Sequence, residues 1–320
     1  MNILFVTATR VGDAVLSTGV LNYLIKTYPD ARLTIVCGPA AAPIFEAVPR
    51  LERLIVLDKM LFSLHWFRMW FLCIGRLWHL VVDLRNAPLT YFLLAYNQKH
   101  LGRTKETMHQ VLRVASTLGL NRSPPNPRLW LLPEHRQRAK ELIPVGGTVL
   151  AIGPTANWEA KIWPHEKFEE LVKRLSSKNG LLRNCRVAFF GRDDERPKVL
   201  SLINSIDSHL RLDFVGSLSL IESHACIERC SLYIGNDSGL MHIAAATGIP
   251  TLGLFGPSKE EVYAPWGPNC MAVRTPESFE KIHPEKFNHK KSKSLMGSLT
   301  VDQVEAACIK LLNRNRGEVF

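Results

Sequence analysis

Short apolar runs alternate with helical patterns along most of this chain, and this alternation limits the possible folds more than any other feature. Leu16, Val20 and Leu24 recur every four residues, which predicts a helix that ends near Pro29. The apolar runs around this helix are typical of strands buried on both faces, at residues 3–6, 33–37, 54–57 and 80–83. Strands and helices in this order predict a parallel sheet with helical crossovers.

The alternation stops at two Pro- and Gly-rich breaks, at residues 123–127 and 144–147, and then restarts. The second series predicts strands at 148–153, 187–191, 232–235 and 251–255, and helices at 164–177, 219–230, 239–247 and 301–312. Two series predict two Rossmann-like domains, at residues 1–145 and 146–320, with the last helix able to pack back toward the first domain. Ligands of such sheets bind at the carboxyl ends of the strands.

Composition and termini set the broad class. A chain with 46% hydrophobic and 22% charged residues is not expected to be disordered over most of its length. Seven Cys without paired spacing, with Cys226 and Cys230 one helical turn apart, argue against a disulfide framework and favour a reducing, cytosolic setting. The opening residues 1–6 are typical of a first buried strand and not of a signal peptide.

The most hydrophobic stretch, residues 60–82, is also unusually aromatic and basic. His65, Arg68, Arg76 and His79 interrupt it, so it is too short in apolar sequence to be a transmembrane helix. Its aromatic residues include Trp66, Phe67, Trp70, Phe71 and Trp78. Such a stretch suits either a helix lying in a membrane interface or an ordinary core helix, and the sequence leaves both open.

The net charge of +11 admits several partners: anionic lipid, an anionic sugar substrate or nucleic acid. The positive charge is spread along the chain, and we find no helix-turn-helix or RNP-type motif, which argues against nucleic acid. Near the end, a basic segment at 281–293 is predicted to be a solvated loop; its lysines are Lys281, Lys286, Lys290, Lys291 and Lys293.

The first candidate motif, residues 9–13, lies between the first strand and the first helix. Gly12 there lets the backbone approach a ligand, and the helix N-terminus favours negative charge. Asp13 is either a helix N-cap or a functional carboxylate.

The second candidate motif, residues 152–164, begins where a strand ends. A loop with hydroxyl and amide groups, Thr155 among them, leads to Lys161 just before a Trp-Pro helix start. A flexible ammonium beside a helix N-terminus suits a diphosphate, and the alternative is an ordinary surface lysine.

The third and most specific motif, residues 235–246, is a strand that turns tightly into a helix of small residues. Ser238 and Gly239 present backbone N–H groups at the helix start, which is an anion site. Asp237 at the strand end is able to accept a sugar hydroxyl. His242, one turn along, is either a phosphate contact or a structural histidine. A second turn at 254–258 follows the next strand.

Other motifs of nucleotide and hydrolytic chemistry are missing from the sequence. There is no P-loop, no Gly-x-Gly-x-x-Gly after the first strand, no Ser-His-Asp elbow and no Cys/His metal-ligand set.

Taken in order, these stretches resemble the family 9 glycosyltransferases, the ADP-heptose:lipopolysaccharide heptosyltransferases and their relatives, over nearly the whole chain. The motifs that carry the resemblance are Arg-x-Gly-Asp, Lys-x-Trp-Pro, Gly-Asn-Asp-Ser-Gly-x-Met-His-x-Ala-Ala-Ala, Phe-Gly-Pro-Ser at 255–258 and Thr-Val-Asp-Gln-Val at 300–304. The resemblance implies an α/β fold of GT-B architecture: two Rossmann-like domains whose parallel sheets face each other across a cleft. It puts the acceptor on the N-terminal domain and the nucleotide-sugar on the C-terminal one.

The resemblance also implies an inverting transfer of heptose or a related sugar from an ADP-sugar, without metal or cofactor. Asp13 would deprotonate the acceptor hydroxyl, Lys161 would contact the donor diphosphate, and Glu195 would hold the ribose. Asp237 would hold the donor sugar. The remaining donor-site residues would be Gly12, Thr155, Ser238, Gly239 and His242.

The implied acceptor is a lipid-anchored glycan, the lipopolysaccharide core or another cell-surface glycan. The protein would then work in the cytoplasm, peripherally on the anionic inner face of the cytoplasmic membrane, without nucleic acid. Two alternatives remain open: a nucleotide-sugar epimerase of the same fold, which also has two Rossmann domains, and, from a different class, a basic nucleic-acid-binding protein.

Overall fold

The computed structural model describes residues 1–104, 106–282 and 292–316, with side chains up to residue 314. The chain forms two compact units, Met1–Leu132 and Pro133–Phe320. Each is an α/β unit built on a parallel sheet, as the sequence predicts.

Within the described residues, the first unit has a five-stranded sheet in the order β3-β2-β1-β4-β5, with all neighbours parallel. The strands are β1 (Asn2–Val6), β2 (Arg32–Cys37), β3 (Leu51–Val56), β4 (Trp78–Asp83) and β5 (Ala95–His100). The helices are α1 (Val11–Thr27), α2 (His65–Cys73) and α3 (Gln110–Ser116), with short 3-10 turns at Pro39–Ile44, Leu61–Ser63 and Pro88–Phe92. Phe5 of β1 pairs with Ile35 on one side and Val82 on the other, and all three are fully buried, which explains the continuous apolar runs.

The described part of the second unit has a six-stranded parallel sheet in the order β11-β10-β9-β6-β7-β8. The strands are β6 (Val149–Gly153), β7 (Arg186–Phe189), β8 (Arg211–Asp213), β9 (Leu232–Asn236), β10 (Thr251–Phe255) and β11 (Cys270–Arg274). The helices are α4 (Pro133–Leu142), α5 (His165–Ser176), α6 (Arg196–Asn204), α7 (Leu220–Ile227), α8 (Gly239–Thr247), α9 (Glu260–Tyr263), α10 (Phe279–Ile282) and α11 (Val301–Arg316), with 3-10 turns at Glu159–Lys161 and Asp193–Glu195.

The boundary between the units lies before helix α4, earlier than the expected division at 145/146. Helix α4 belongs to the second unit because it packs on α7. Arg136 donates to Glu228 at 2.8 Å, and Arg229 donates to the carbonyl of Ile143 at 2.6 Å.

The final helix α11 is also part of the second unit, although the sequence left it able to pack back toward the first. Its apolar face joins the core formed by α5 and the central strands, through Val304, Cys308 and Leu311. Its start is fixed by a reciprocal cap, in which Thr300 accepts from the Gln303 N–H and the Gln303 side chain accepts from the Thr300 N–H. The last motif that carries the family resemblance, residues 300–304, is therefore the capped start of helix α11.

The aromatic stretch at 60–78 divides between core and surface. Helix α2 buries Met69 and Cys73, and the side chains of Trp66 and Trp70 pack partly against the same core. Phe67 and other apolar side chains of the stretch are exposed. The alternative of a core helix therefore describes only the buried side of α2, and the alternative of a membrane-interface helix stays a prediction. Among the helices of the described ranges, none has the length and hydropathy needed to cross a bilayer.

The predicted basic loop at 281–293 is described only at its ends. Lys281 lies in α10, which is a short helix and not a loop. Lys293 lies in a described segment without helix or strand. Lys286, Lys290 and Lys291 lie outside the described residues.

The seven cysteines all lie in the described ranges and are free thiols, six of them buried. Burial raises the pKa of Cys37 to about 12 and that of Cys73 to about 11. These thiols are therefore protonated and weakly nucleophilic at neutral pH.

The packing of α7 on α8 predicts an acid-sensitive second unit. His224 of α7 is buried, and its Nδ1 lies 3.2 Å from the carbonyl oxygen of Ile243 in α8. Burial lowers the pKa of His224 to about 4, so the unfolded chain binds this proton more readily than the folded one. The contribution is present above pH 6.5 and is lost as the pH falls toward 4. Wild type should lose about 2 kcal/mol of unfolding free energy between pH 7.5 and pH 5 from this group.

The measurement is urea unfolding at both pH values, for wild type and for His224→Gln, whose amide is able to donate to the same carbonyl. The variant should show a smaller pH dependence. An equal loss of stability in both proteins would contradict the assignment to His224.

Candidate functional site

The strand order fixes where a site forms in the second unit. In the order β11-β10-β9-β6-β7-β8, successive strands run outward in opposite directions from β6 and β9, so the gap at their carboxyl ends is a topological switch point. The loop after β6 carries Thr155 and Lys161, and the turn after β9 carries Asp237 and Ser238. The register pairs Gly153 with Gly235 across this gap, so the second and third sequence motifs meet there.

A buried ion pair bridges the switch point. Lys161 Nζ lies 2.5 Å from Asp237 Oδ2, and the two side chains are only 14% and 7% exposed. The ammonium also lies 4.8 Å from the centroid of the Trp158 ring. The Lys161 loop is tied to β9 because Asn236 Oδ1 accepts from the Trp163 N–H at 3.0 Å. Lys161 is therefore a fixed cation and not the ordinary surface lysine of the alternative prediction.

Helix α8 begins beside this pair. Ser238 is its N-cap with an extended backbone, but among the described residues its side chain makes no capping hydrogen bond. Gly239 is the first helical residue, so the first N–H groups of α8 point to the sheet edge with the positive end of the helix dipole. His242, one turn along, is almost fully buried. This edge suits an anion, as the sequence predicts.

Glu195 and Thr155 lie together at the ends of β6 and β7. Glu195 Oε2 accepts from the Thr155 hydroxyl at 2.8 Å and from the Arg192 N–H at 2.9 Å. The carboxylate is thus oriented by its neighbours before any ligand binds, and only 13% of its side chain is exposed.

A tyrosine lies under the edge and explains two glycines. A Cβ on Gly153 would lie 2.0 Å from the Tyr233 hydroxyl oxygen, and a Cβ on Gly235 would lie 2.4 Å from it. Tyr233 is fully buried, and burial raises the pKa of its hydroxyl well above the usual value, so the hydroxyl stays protonated. The sequence motif contained Gly235 but gave no sign of the ring beneath it.

Three buried polar atoms at the same edge have no hydrogen-bond partner within the part of the chain that the structure describes. They are Asn236 Nδ2, Ser258 Oγ and Thr275 Oγ1, at the ends of β9, β10 and β11. An unpaired buried polar group costs about 1–3 kcal/mol, so such a cluster is typical of a ligand site. The third sequence motif contains Asn236 without giving it a role, and the turn at 254–258 contains Ser258. Thr275 was missed, because it follows an edge strand that has no strong sequence signal.

His165 at the start of α5 is a further residue that the sequence analysis missed. Burial lowers the pKa of His165, so the ring is neutral at physiological pH. Its position directly after Pro164, at the end of the Lys-x-Trp-Pro motif, is the signal that would have found it.

Gly12 and Asp13 lie in the first unit, whereas the other predicted site residues lie in the second. The N-cap of α1 is Arg10, and Asp13 is the third helical residue. The prediction that Asp13 is an N-cap is therefore wrong, and its carboxylate lies in the first turn at the carboxyl end of β1. In this unit too the order 3-2-1-4-5 makes β1 and β4 the switch point.

In residues 1–104, 106–282 and 292–316, no three His, Cys, Asp or Glu side chains are grouped so that they could hold a metal ion.

Comparison with known proteins identifies the family of this chain. The sequence model of glycosyltransferase family 9 (heptosyltransferase) matches residues 73–292, more than half of the chain. The chain belongs to glycosyltransferase family 9. This match contains the second and third motifs in full.

Relatives within the family are similar in sequence over part of the chain and in fold over nearly all of it. Lipopolysaccharide heptosyltransferase 2 of Salmonella typhimurium is 31% identical over 126 residues, which are 38% of this chain and 35% of that protein. The sequence match thus spans about a third of that relative's length.

Two solved structures have the same fold. The family 9 glycosyl transferase of Veillonella parvula has a TM-score of 0.78 at 20% identity, over 98% of this chain and 97% of that one. The E. coli ADP-heptose LPS heptosyltransferase II has a TM-score of 0.74 at 19% identity, over 99% and 100%. The predicted GT-B fold class is confirmed.

The tight contact between Gly153 and Tyr233 predicts the effect of one methyl group at the edge. Gly153→Ala should lower the unfolding free energy by about 1–3 kcal/mol, because backbone or ring must shift to admit the Cβ. Tyr233→Phe removes the nearest atom and should partly rescue the variant. Gly147→Ala is the matched control, since its Cβ would meet only the end of the Arg186 side chain, at 3.9 Å. Thermal unfolding measures all four proteins, and equal stability of Gly153→Ala and wild type would contradict the contact.

Proposed function

We propose that this protein transfers a heptose or a related sugar from an ADP-sugar to the lipopolysaccharide core or another cell-surface glycan. Its family is named for heptosyltransferases, and the E. coli relative of the same fold is named for ADP-heptose. The observation that carries the proposal is the buried Lys161–Asp237 pair at the switch point, beside the uncapped start of α8.

The second unit supplies what a nucleoside diphosphate sugar requires. A diphosphate needs a cation and N–H donors; Lys161 provides the cation, and Ser238, Gly239 and His242 at the start of α8 surround the anion. An ammonium has three N–H donors, and the Asp237 contact uses one of them. The sugar and ribose hydroxyls need acceptors, which are Asp237 and Glu195. Thr155, hydrogen bonded to Glu195, keeps that acceptor in place.

The unpaired polar atoms of the edge support a ligand with many polar groups. Ser258 and Thr275 lie on the side of β10 and β11, and Asn236 lies on β9 between them and the ion pair. A nucleotide-sugar satisfies such groups with hydroxyl and phosphate oxygens, whereas an apolar ligand would leave them unpaired.

The chemistry that we propose is a single inverting displacement. The acceptor hydroxyl oxygen attacks the anomeric carbon, and the bond from that carbon to the donor phosphate oxygen breaks. ADP leaves with the bonding electron pair, and the Asp13 carboxylate takes the hydroxyl proton. Lys161 and the start of α8 stabilise the negative charge that develops on the departing diphosphate, without a metal or cofactor. Gly12, next to Asp13, keeps the backbone at the helix start open to a ligand.

We place this reaction at the inner face of the cytoplasmic membrane. The first unit takes the acceptor in this scheme, and a lipid-anchored acceptor has to be met at an anionic bilayer surface. The assay that tests the function incubates the protein with ADP-heptose and a truncated core glycan and measures ADP release together with the mass of the glycan. ADP-sugar, but not an oligonucleotide, should raise the melting temperature. Conversion of the nucleotide-sugar without any acceptor would instead indicate an epimerase.

Asp13→Asn tests the general base. The variant should reduce turnover by about 10² or more and leave ADP binding unchanged, because the amide cannot take a proton. Asp30→Asn, at an exposed turn of the same unit, is the matched control and should keep full activity. Turnover of Asp13→Asn near that of the control would remove the assignment.

Lys161→Ala tests the contact with the diphosphate. The variant should bind ADP about 10- to 100-fold more weakly and transfer more slowly, since one charge-assisted contact contributes roughly 1.5–3 kcal/mol. It also leaves Asp237 buried without its partner, so melting temperatures must be compared. Lys173→Ala, which breaks a surface pair with Glu169, is the matched control. EDTA should change none of these rates, and loss of activity on chelation would show that a metal stabilises the diphosphate.

A further inference from the structure

Large apolar side chains are exposed in one part of the first unit. Phe62 is 93% exposed, Leu61 is 81% exposed and Phe71 is 70% exposed. We call this set of side chains the apolar ridge; its members are Leu61, Phe62, Leu64, Phe67 and Phe71, with Tyr91 and Phe92 on the turn Pro88–Phe92 that packs beside α2. Contiguous exposed apolar surface of this kind marks an interaction site.

The ridge is held on a rigid support. Leu64, the N-cap residue of α2, is followed by Phe67 and Phe71 at three- and four-residue spacing, so the three form one outward stripe. The opposite stripe contains Met69 and Cys73, which are buried in the core of the first unit.

The C-terminal end of α2 is fixed as well. The Trp78 indole N–H donates to the Cys73 carbonyl at 3.0 Å, and Arg53 donates to the Leu72 carbonyl at 3.0 Å. The outward rings are therefore displayed by a helix that is anchored through its buried side and its C-terminal end.

The most exposed ring stands on an unfavourable backbone. Phe62 and Ser63 have φ values of 53° and 60°, in the left-handed region that favours glycine. Neither position is a glycine, so the chain retains a large aromatic residue where packing does not require it and backbone sterics disfavour it.

The charged residues of the ridge's own segment are basic, although Arg76 is paired with Glu52 at 2.6 Å and Asp58 directly precedes the segment. Residues 59–82 contain Lys59, Arg68 and Arg76 and no Asp or Glu. Residues 1–132 carry 15 Lys and Arg against 7 Asp and Glu, an excess of 8, whereas residues 133–320 carry 25 against 22, an excess of 3. Most of the positive charge of the protein is thus on the unit that bears the ridge.

We propose that the apolar ridge is the surface by which this protein inserts into the headgroup layer of an anionic bilayer. Rings enter the boundary between headgroups and acyl chains, while Lys59 and Arg68, both exposed, contact anionic headgroups. A second copy of the chain fits this surface less well, because a symmetric interface would bring the same cations together. The proposal deepens the proposed function, which supplies the lipid-anchored acceptor.

The helix that bears the ridge lies near the switch point of the first unit. A small cavity at the carboxyl ends of β1, β2 and β3 is lined by Thr9, His65, Trp66 and Arg85, so the start of α2 adjoins the loop that leads into α1. A bilayer bound by the ridge would hold this edge of the sheet, which carries Asp13, close to the lipid surface.

The test is vesicle flotation. Wild type should rise with vesicles of phosphatidylcholine and phosphatidylglycerol at low salt and less at high salt, and only weakly with phosphatidylcholine alone. Phe62→Ser with Phe71→Ser should weaken partition by at least about tenfold with an unchanged melting temperature. Arg68→Ser should weaken partition about fivefold on anionic vesicles and not on neutral ones.

The controls separate lipid binding from folding. Val145→Ser with Leu200→Ser removes exposed apolar side chains of the second unit, and Lys178→Ser removes an exposed cation there; both should float like wild type. Trp66→Ser should lower the melting temperature, because that ring packs against the core.

Two results would overturn the proposal. One is a Phe62/Phe71 variant that floats like wild type. The other is a wild-type protein that does not float with vesicles and is a dimer, while the Phe62/Phe71 variant is a monomer. That result would show that a second copy of the chain covers the ridge. ADP should raise the melting temperature of the ridge variant as it does for wild type. Failure of ADP-sugar to bind would remove the proposed function and leave the flotation result unaffected.

Discussion

The strand order of the second sheet is the constraint on which the site depends. Because β6 and β9 are neighbours whose connections run to opposite sides, the loops that follow them separate and leave room between them at the sheet edge. Parallel register aligns Gly153 with Gly235, and both lack side chains where Tyr233 is buried. This brings Lys161 to Asp237 although they are 76 residues apart in sequence. The ion pair is thus a consequence of topology.

The sequence predicted the central strands and the edge strand β3, but it missed the edge strands β5, β8 and β11, and β5 shows the physical reason. A central strand such as β6 is covered on both faces, so all its residues are apolar and it stands out. The edge strand β5 reads AYNQKH and is mostly exposed, because it pairs with β4 on one side only. The backbone of β5 completes the hydrogen bonding of β4 whatever side chains β5 has. A backbone pairing of this kind leaves no apolar pattern in the sequence.

The candidate site, like the fold, was predicted only in part from the sequence. Loops after central strands carry their own signals, such as the Gly-bounded turn at Asp237, and these were found. A pairing across the sheet could not be predicted. From the sequence, Lys161 and Asp237 were expected to make separate contacts with the ligand, whereas in the structure the two side chains form an ion pair. Thr275 follows an edge strand and was missed with it. The first-turn position of Asp13 required knowing that the helix begins at Val11.

The two units handle charge in different ways, and this difference fits two different ligands. In the second unit, charged groups at the edge are paired or oriented one by one, as Lys161 with Asp237 and Glu195 with Thr155. A small anion with fixed geometry is selected by such directed contacts. In the first unit, which also bears the apolar ridge, an excess of 8 positive charges is spread over 132 residues. Diffuse charge acts over about a Debye length, roughly 8–10 Å, and discriminates little between single molecules. It acts best on an extended anionic surface, which is the form in which the lipid-anchored acceptor that we propose would be presented.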